Sequence, residues 1–221
     1  MVVEIIQRDI PVKGIGYIIL RDCPEDRLGE GLGRGMEKLK KAGAKTVWAT
    51  SLPDGEPLYP GPVGVWRLSK VHDVVRLEAK LPLPKPALKL NLRAPRKAAD
   101  DSLFIGLRNR AYARVAGAVT QRETPLRVQN HRYAIAYQGE KAVGCYEVDL
   151  TEKTPELVTL AVDPDFQRQG IGRTLLRAAL DGFRSPTCVT TVSSLNQPAL
   201  DLLTSEGFRQ TQVMNTWLEV V

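Results

Sequence analysis

The run Gln167-Arg168-Gln169-Gly170-Ile171-Gly172-Arg173-Thr174 carries the plainest chemistry in this chain. An apolar segment ending in Val162-Asp163-Pro164 precedes it. Apolar residues at helical spacing follow, at Ile171, Leu175, Ala178, Ala179 and Phe183. A strand is thus expected to run through a short loop into a helix opened by glycines. The first N–H groups of a helix have no intrahelical partner and carry partial positive charge. Glycine lets an anion approach them, so such a loop can hold a phosphate, with Arg168 and Arg173 adding full charge. A dinucleotide fingerprint would need glycine where Leu175 stands, and a Walker A loop would need Gly-Lys-Ser/Thr, which is absent. A bare helix start with two convenient glycines is the competing reading.

The rest of the composition limits what the loop could serve. A length of 221 residues buries one good core and allows a second, small one. The net charge of +6 fits a solvated basic surface or an anionic partner such as a phosphate-rich cofactor. No basic run alternates with aromatics, so the charge does not favour nucleic acid. No apolar run approaches the roughly 18 residues of a membrane span. The start, MVVEIIQRDIP, lacks the pattern of a signal peptide. Cys23, Cys145 and Cys188 are odd in number and far apart, which points to a reduced, cytoplasmic setting. With only His72 and His131 besides, no metal set is expected.

Several elements must position the loop. The segment 82–87, rich in proline, reads as a linker between residues 1–81 and 88–221. Beyond it, alternation predicts a strand over Leu88–Leu92. Leu103, Phe104, Leu107, Ala111, Tyr112 and Val115 predict an amphipathic helix from about Lys97. Residues 119–128 read as a loop. Tyr133–Tyr137 and Ala142–Leu150 predict a hairpin around Gln138-Gly139-Glu140. Leu157–Val162 is apolar enough for a central strand. After the glycine-opened helix come a strand at Cys188–Val192, a helix capped by Asn196 and closed by Gly207, and a last strand at Val213–Val220.

Val162-Asp163-Pro164, then Gln167-x-x-Gly170-x-Gly172, then Leu175-Leu176, resembles the pyrophosphate motif of the GNAT N-acetyltransferase superfamily. Asn196-x-x-Ala199-x-x-Leu202 with Gly207-Phe208 resembles that family's next motif. The resemblance covers about Leu88 to Val221. It implies an α/β fold with a mixed, mostly antiparallel, splayed sheet flanked by helices, plus a smaller N-terminal α/β half-domain. It also implies acetyl transfer from acetyl-CoA to a primary amine of a small molecule, peptide or protein.

Residue by residue, the resemblance makes Leu160, Ala161 and Val162 the strand that meets the pantetheine arm. The Leu160 N–H would face the thioester carbonyl, the position of greatest catalytic leverage for a fixed donor. Gln167, Arg168, Gln169, Gly170, Ile171, Gly172, Arg173 and Thr174 would hold the pyrophosphate, and Asn196 the arm. A protonated amine needs a proton acceptor before it can attack. Members resembling the histone acetyltransferases carry a Glu where Glu156 stands, and counting by twos puts Glu156 on the face of Val162. Glu147 is the second candidate. The Tyr that the family often uses to protonate the leaving thiolate is replaced by Leu203.

Residues 1–80 look like a half-copy of the same pattern. Gly31-Leu32-Gly33-Arg34 can be laid over Gly170-Ile171-Gly172-Arg173, and Tyr17–Leu20 over the strand ending at Val162. Residues 53–62 are too rich in Pro and Gly for the last helix, and Glu30 brings a carboxylate to the loop. The half-copy therefore reads as structural, and His72 as a strand residue. A non-catalytic CoA-binding or sensing module and a basic interaction protein with a GNAT shell are the rival functions. The sequence leaves the acceptor and the oligomeric state open.

Overall fold

The computed structural model describes residues 1–51, 57–115, 117 and 129–221. The loop expected over 119–128, with Arg122, Glu123 and Arg127, lies outside them, as do residues 53–56. The chain forms two compact units. Unit 1 comprises Met1–Val75, Ser193–Leu195 and Val213–Val221, and unit 2 comprises Arg76–Val192 and Asn196–Gln212. The division falls inside a strand, between Val75 and Arg76, and not at the proline-rich segment 82–87. Leu81 N–H donates to Pro186 O (2.8 Å), and Lys85 O accepts from Arg177 (3.2 Å), so this segment is tied into unit 2.

Unit 1 contains β1 (Val2–Ile6), α1 (Ile10–Lys13), β2 (Ile15–Arg21), α2 (Leu28–Lys41), β3 (Thr46–Ser51), β4 (Gly61–Val63) and the first part of β5 (Trp66–Lys80). Its strands run in the order β1-β2-β3, then the end of the last strand, β11 (Arg209–Val220), then β5, with β4 on β5. β2-α2-β3 is a parallel crossover, paired at six positions from Ile15/Thr46 to Leu20/Ser51. Its core gathers Ile18 and Leu20 of β2, Leu32, Met36 and Leu39 of α2, and Leu218 of β11. His72 is 2% exposed, packs edge-on against Trp48 and stacks on Trp217, and its Nδ1 meets Ser193 Oγ at 3.0 Å.

Unit 2 contains the end of β5, β6 (Asn91–Arg93), α3 (Ala98–Ala113), β7 (His131–Gln138), β8 (Lys141–Asp149), β9 (Glu156–Val162), α4 (Ile171–Ala179), β10 (Thr187–Ser193) and α5 (Gln197–Ser205). The strand order is β5-β10-β9-β8-β7-β6. β6 to β9 are antiparallel neighbours, and β9-α4-β10 is the second parallel crossover. One face of the sheet, with Ile135, Cys145 and Ala161, packs on Phe104, Leu107 and Ala111 of α3. On the other face Gly144 leaves no room for a Cβ, which would meet Leu175 of α4 at 2.8 Å. α4 ends at Ala179, before Phe183, because Gly182 turns the chain at φ 80°. The Arg132 guanidinium donates to the Ala179 and Asp181 carbonyls left open there, and it stacks on Phe183 at 4.1 Å.

Candidate active site

The site begins with two strands that part. β9 and β10 are in register only at Glu156/Val189 and Leu157/Thr190. From Val158 onward no strand among the described residues pairs with the β10-facing edge of β9. A cavity of about 590 Å³ lies along it, within the size range of small-molecule sites. Leu160, Ala161, Val162, Gln167, Arg168, Gly170, Gly172, Arg173 and Asn196 all line this cavity. Of the other expected cofactor residues, Ile171 and Thr174 are buried and Gln169 is not among the lining. Thr174 N–H closes the first turn of α4 on Gly170 O (3.1 Å).

Gly170 caps α4 at φ 79°, in the left-handed region where a side chain is strained. A Cβ on Gly172 would lie 3.4 Å from Leu202 and 3.6 Å from Val162, filling space at the cavity wall. Asp163 fixes the loop leading to them. It accepts from Asp165 N–H (3.1 Å) and from Arg110 of α3 (2.6 and 2.9 Å). Burial pushes the Asp163 carboxyl up, but Arg110 and the Asp165 amide outweigh it and hold the carboxyl below its usual range. The Gln167 side chain donates to Val162 O (3.1 Å). Arg173 is shared: its Nε pairs with Glu206 (2.8 Å), which Arg177 also holds (2.7 Å). Asn196 Oδ1 accepts from Ala199 N–H (3.3 Å), the cap expected for α5.

The two candidate bases lie on the opposite face from Val162. Pairing runs Glu147/Thr159, then Val148/Leu157 and Asp149/Glu156, so Val158 is an extra residue. Such a bulge reverses side-chain parity. Glu156 therefore shares a face with Glu147, Asp149 and Thr159, and not with Val162, which corrects the count by twos. Glu147 is fully buried and engaged by His131 Nδ1 (2.9 Å) and by the Thr159 hydroxyl (3.1 Å). His131 Nε2 reaches Asp149 at 3.3 Å. Neither Glu147 nor Glu156 lines the cavity. Among the described residues no group of three or more His, Cys, Asp or Glu side chains is arranged to hold a metal ion.

Two residues at this site escaped the sequence reading. Arg110 carries the loop anchor just described. Tyr112, counted there only as an apolar position, lines the cavity together with Leu160. A tyrosine on an otherwise apolar stripe, with a polar tip that needs a partner, is the one hint the sequence holds.

The corresponding part of unit 1 is built differently. β2 and β3 stay paired to their ends, leaving no gap between them. α2 begins at Leu28, so Gly31 is its fourth residue, whereas Gly170 is a cap. A Cβ on Gly35 would strike Ile18, and one on Gly31 would lie 3.1 Å from Leu20. These glycines bring α2 close to β2. Glu30, in the first turn, is held by Arg27 (2.9 Å) and by Arg34, so a carboxylate already answers the positive end of this helix.

A parted strand pair thus leads onto a glycine-opened helix, with one cavity lined by both. Residues 100–208 match the family model described as "Acetyltransferase (GNAT) family". Over this stretch, just under half of its residues, the chain is similar to the GNAT superfamily. It is 36% identical over 95 residues to the N-alpha-acetyltransferase RimI of Mycobacterium tuberculosis, covering 41% of this chain and 60% of that protein. It is 38% identical over 74 residues to the [Ribosomal protein bS18]-alanine N-acetyltransferase of Salmonella typhimurium, covering 32% and 49%. The chain thus spans about half to three fifths of the length of these curated relatives. The crystal structure of a GCN5-related N-acetyltransferase from Sphaerobacter thermophilus aligns with a TM-score of 0.56 at 14% identity, over 99% of this chain and 75% of that one. At that identity the likeness shows the fold alone.

Proposed function

We propose that this chain transfers an acetyl group from acetyl-CoA directly to a primary amine, with the cofactor on unit 2. One observation carries the reading: a single cavity brings together the open edge of β9 and the start of α4. The edge at Leu160–Val162 can hydrogen-bond an amide-bearing arm as a further strand would. The first N–H groups of α4 suit a diphosphate, and at Gly170 and Gly172 no Cβ stands in its way. Asn196 lines the same space.

In the reaction the amine lone pair attacks the thioester carbon. The C–N bond forms, the C–S bond breaks, CoA leaves as a thiolate and the nitrogen loses a proton. Glu147, paired to Thr159 next to Leu160, is nearer the open edge than Glu156. Glu156 begins β9 four residues earlier, roughly 13 Å along a strand. Glu147 is therefore the first candidate acceptor of the proton, with His131 and Asp149 leading from it, and Glu156 the second. Carboxylates on this face suit a cationic amine. The names of the two curated relatives make polypeptide N-terminal amines the first acceptors to assay, followed by small amines.

Leu203 supports a second reading, a CoA-binding module without turnover. It is buried on α5 and has no proton to give a thiolate. Residues 1–81 are read as a structural half-copy, since β2 and β3 do not part and Glu30 fills the helix start. Thiol release from acetyl-CoA, followed across a panel of peptides and small amines, separates the two functions. The enzyme gives amine-dependent release and an acetylated product. CoA binding with no release from any amine supports the module instead.

A further inference from the structure

We propose that the Tyr112 hydroxyl is a second donor to the thioester carbonyl oxygen, completing with the Leu160 N–H a two-donor oxyanion site. The proposal deepens the acetyl-CoA reading above and rests on it. Tyr112 occupies the last turn of α3, which Phe104, Leu107 and Ala111 lock against the sheet. Arg108 stacks on its ring at 4.5 Å, fixing the phenol further. Tyr112 and Leu160 line the same cavity, on the part of β9 that β10 has left. A strand N–H at such a place needs an acceptor.

A thioester carbonyl that takes this N–H enters the cavity that Tyr112 also lines. At an O–H···O separation of roughly 2.7 Å the phenol hydroxyl donates to the same oxygen. Burial raises the phenol above its usual range, with Glu147 and Cys145 adding to this and Arg108 and the Leu160 amide opposing it. The hydroxyl therefore stays protonated, as a fixed donor must. As the C–N bond forms, the carbonyl π pair moves onto oxygen and both donors strengthen. As the oxygen re-forms its double bond, the C–S bond breaks. Tyr112 keeps its proton throughout. The thiolate takes one from solvent.

The test needs no acceptor. The full chain is loaded with acetyl-CoA carrying ¹³C at the carbonyl, and the isotope-edited infrared stretch is compared among free ligand, wild type and Tyr112→Phe, with calorimetry alongside. Two donors lower the stretch in the wild type. Tyr112→Phe moves it part of the way back to the free value, while Kd stays within about threefold. Tyr112→Leu, which also lacks the hydroxyl, reproduces the Phe frequency. Identical frequencies in wild type and variants that bind acetyl-CoA overturn the second donor and leave the cofactor site standing. A wild type that does not bind acetyl-CoA overturns both.

Discussion

Glu147 and Glu156 bring the same functional group into unlike surroundings. Glu147 is fully buried and shares its oxygens between His131 and Thr159, whereas Glu156 starts a strand at the closed end of the parted pair. If Glu147 accepts the amine proton, Glu147→Gln lowers kcat by about 10²- to 10³-fold near neutral pH. The KM for acetyl-CoA stays nearly constant, and higher pH partly restores the rate by deprotonating the amine in solution. Glu156→Gln has the smaller effect, and the reverse ranking in steady-state kinetics would reassign the role. The sequence held both candidates but not their order. Counting along β9 fails at Val158, and nothing about a valine announces a bulge. Asp163 is a second residue whose value lies in its surroundings. Its carboxyl is depressed, so it stabilises the fold above the ordinary carboxylate pKa, about 3.9, and this is lost as pH falls through the folded value. Asp163→Asn costs about 1–2 kcal/mol at neutral pH, an amount kept modest because the Arg110 side chain is half-exposed. Denaturant titrations show the gap to wild type closing below about pH 4.

The two parallel crossovers, β2-α2-β3 and β9-α4-β10, show how similar patterns make different elements. In both, a strand leads through a turn to a glycine-bearing helix and a parallel strand. In the second the strands part after two paired positions, and the glycines stand at the helix start. In the first the strands hold six, and the glycines lie within the helix against β2. Gly35→Ala tests this packing role. A Cβ there meets the fully buried Ile18, an overpacking of about 1–3 kcal/mol, while the better helix propensity returns about 1 kcal/mol. The net expectation is a loss of up to about 2 kcal/mol in thermal or chemical unfolding, with no change in acetyl-CoA affinity. Element identity was legible because periodicity marks it well. The parting of β9 from β10 was not, since it depends on which backbone groups pair and these are blind to side-chain type. From sequence, only the family resemblance pointed to it.

At the scale of the chain, the prolines of segment 82–87 exclude helix and central strand without saying what the segment packs on. Here it hydrogen-bonds within unit 2, while the compact units divide inside β5, where nothing in Val75-Arg76 signals a boundary. The motif residues around Gly170 and Asn196, by contrast, form short contiguous patterns, and both lie in the stretch that matches the GNAT family model. Acetyl-CoA affinity in the Gly170→Asp and Gly31→Asp variants, measured by calorimetry on the full chain, distinguishes a cofactor site on unit 2 from one on unit 1. Gly170→Asp puts a strained side chain and a negative charge at the start of α4. Its affinity should fall well beyond tenfold, or about 1.4 kcal/mol. Gly31→Asp, inside α2, should cost stability and leave the affinity of the folded protein nearly unchanged. Loss of binding in Gly31→Asp with normal binding in Gly170→Asp would contradict the assignment of the cofactor site to unit 2.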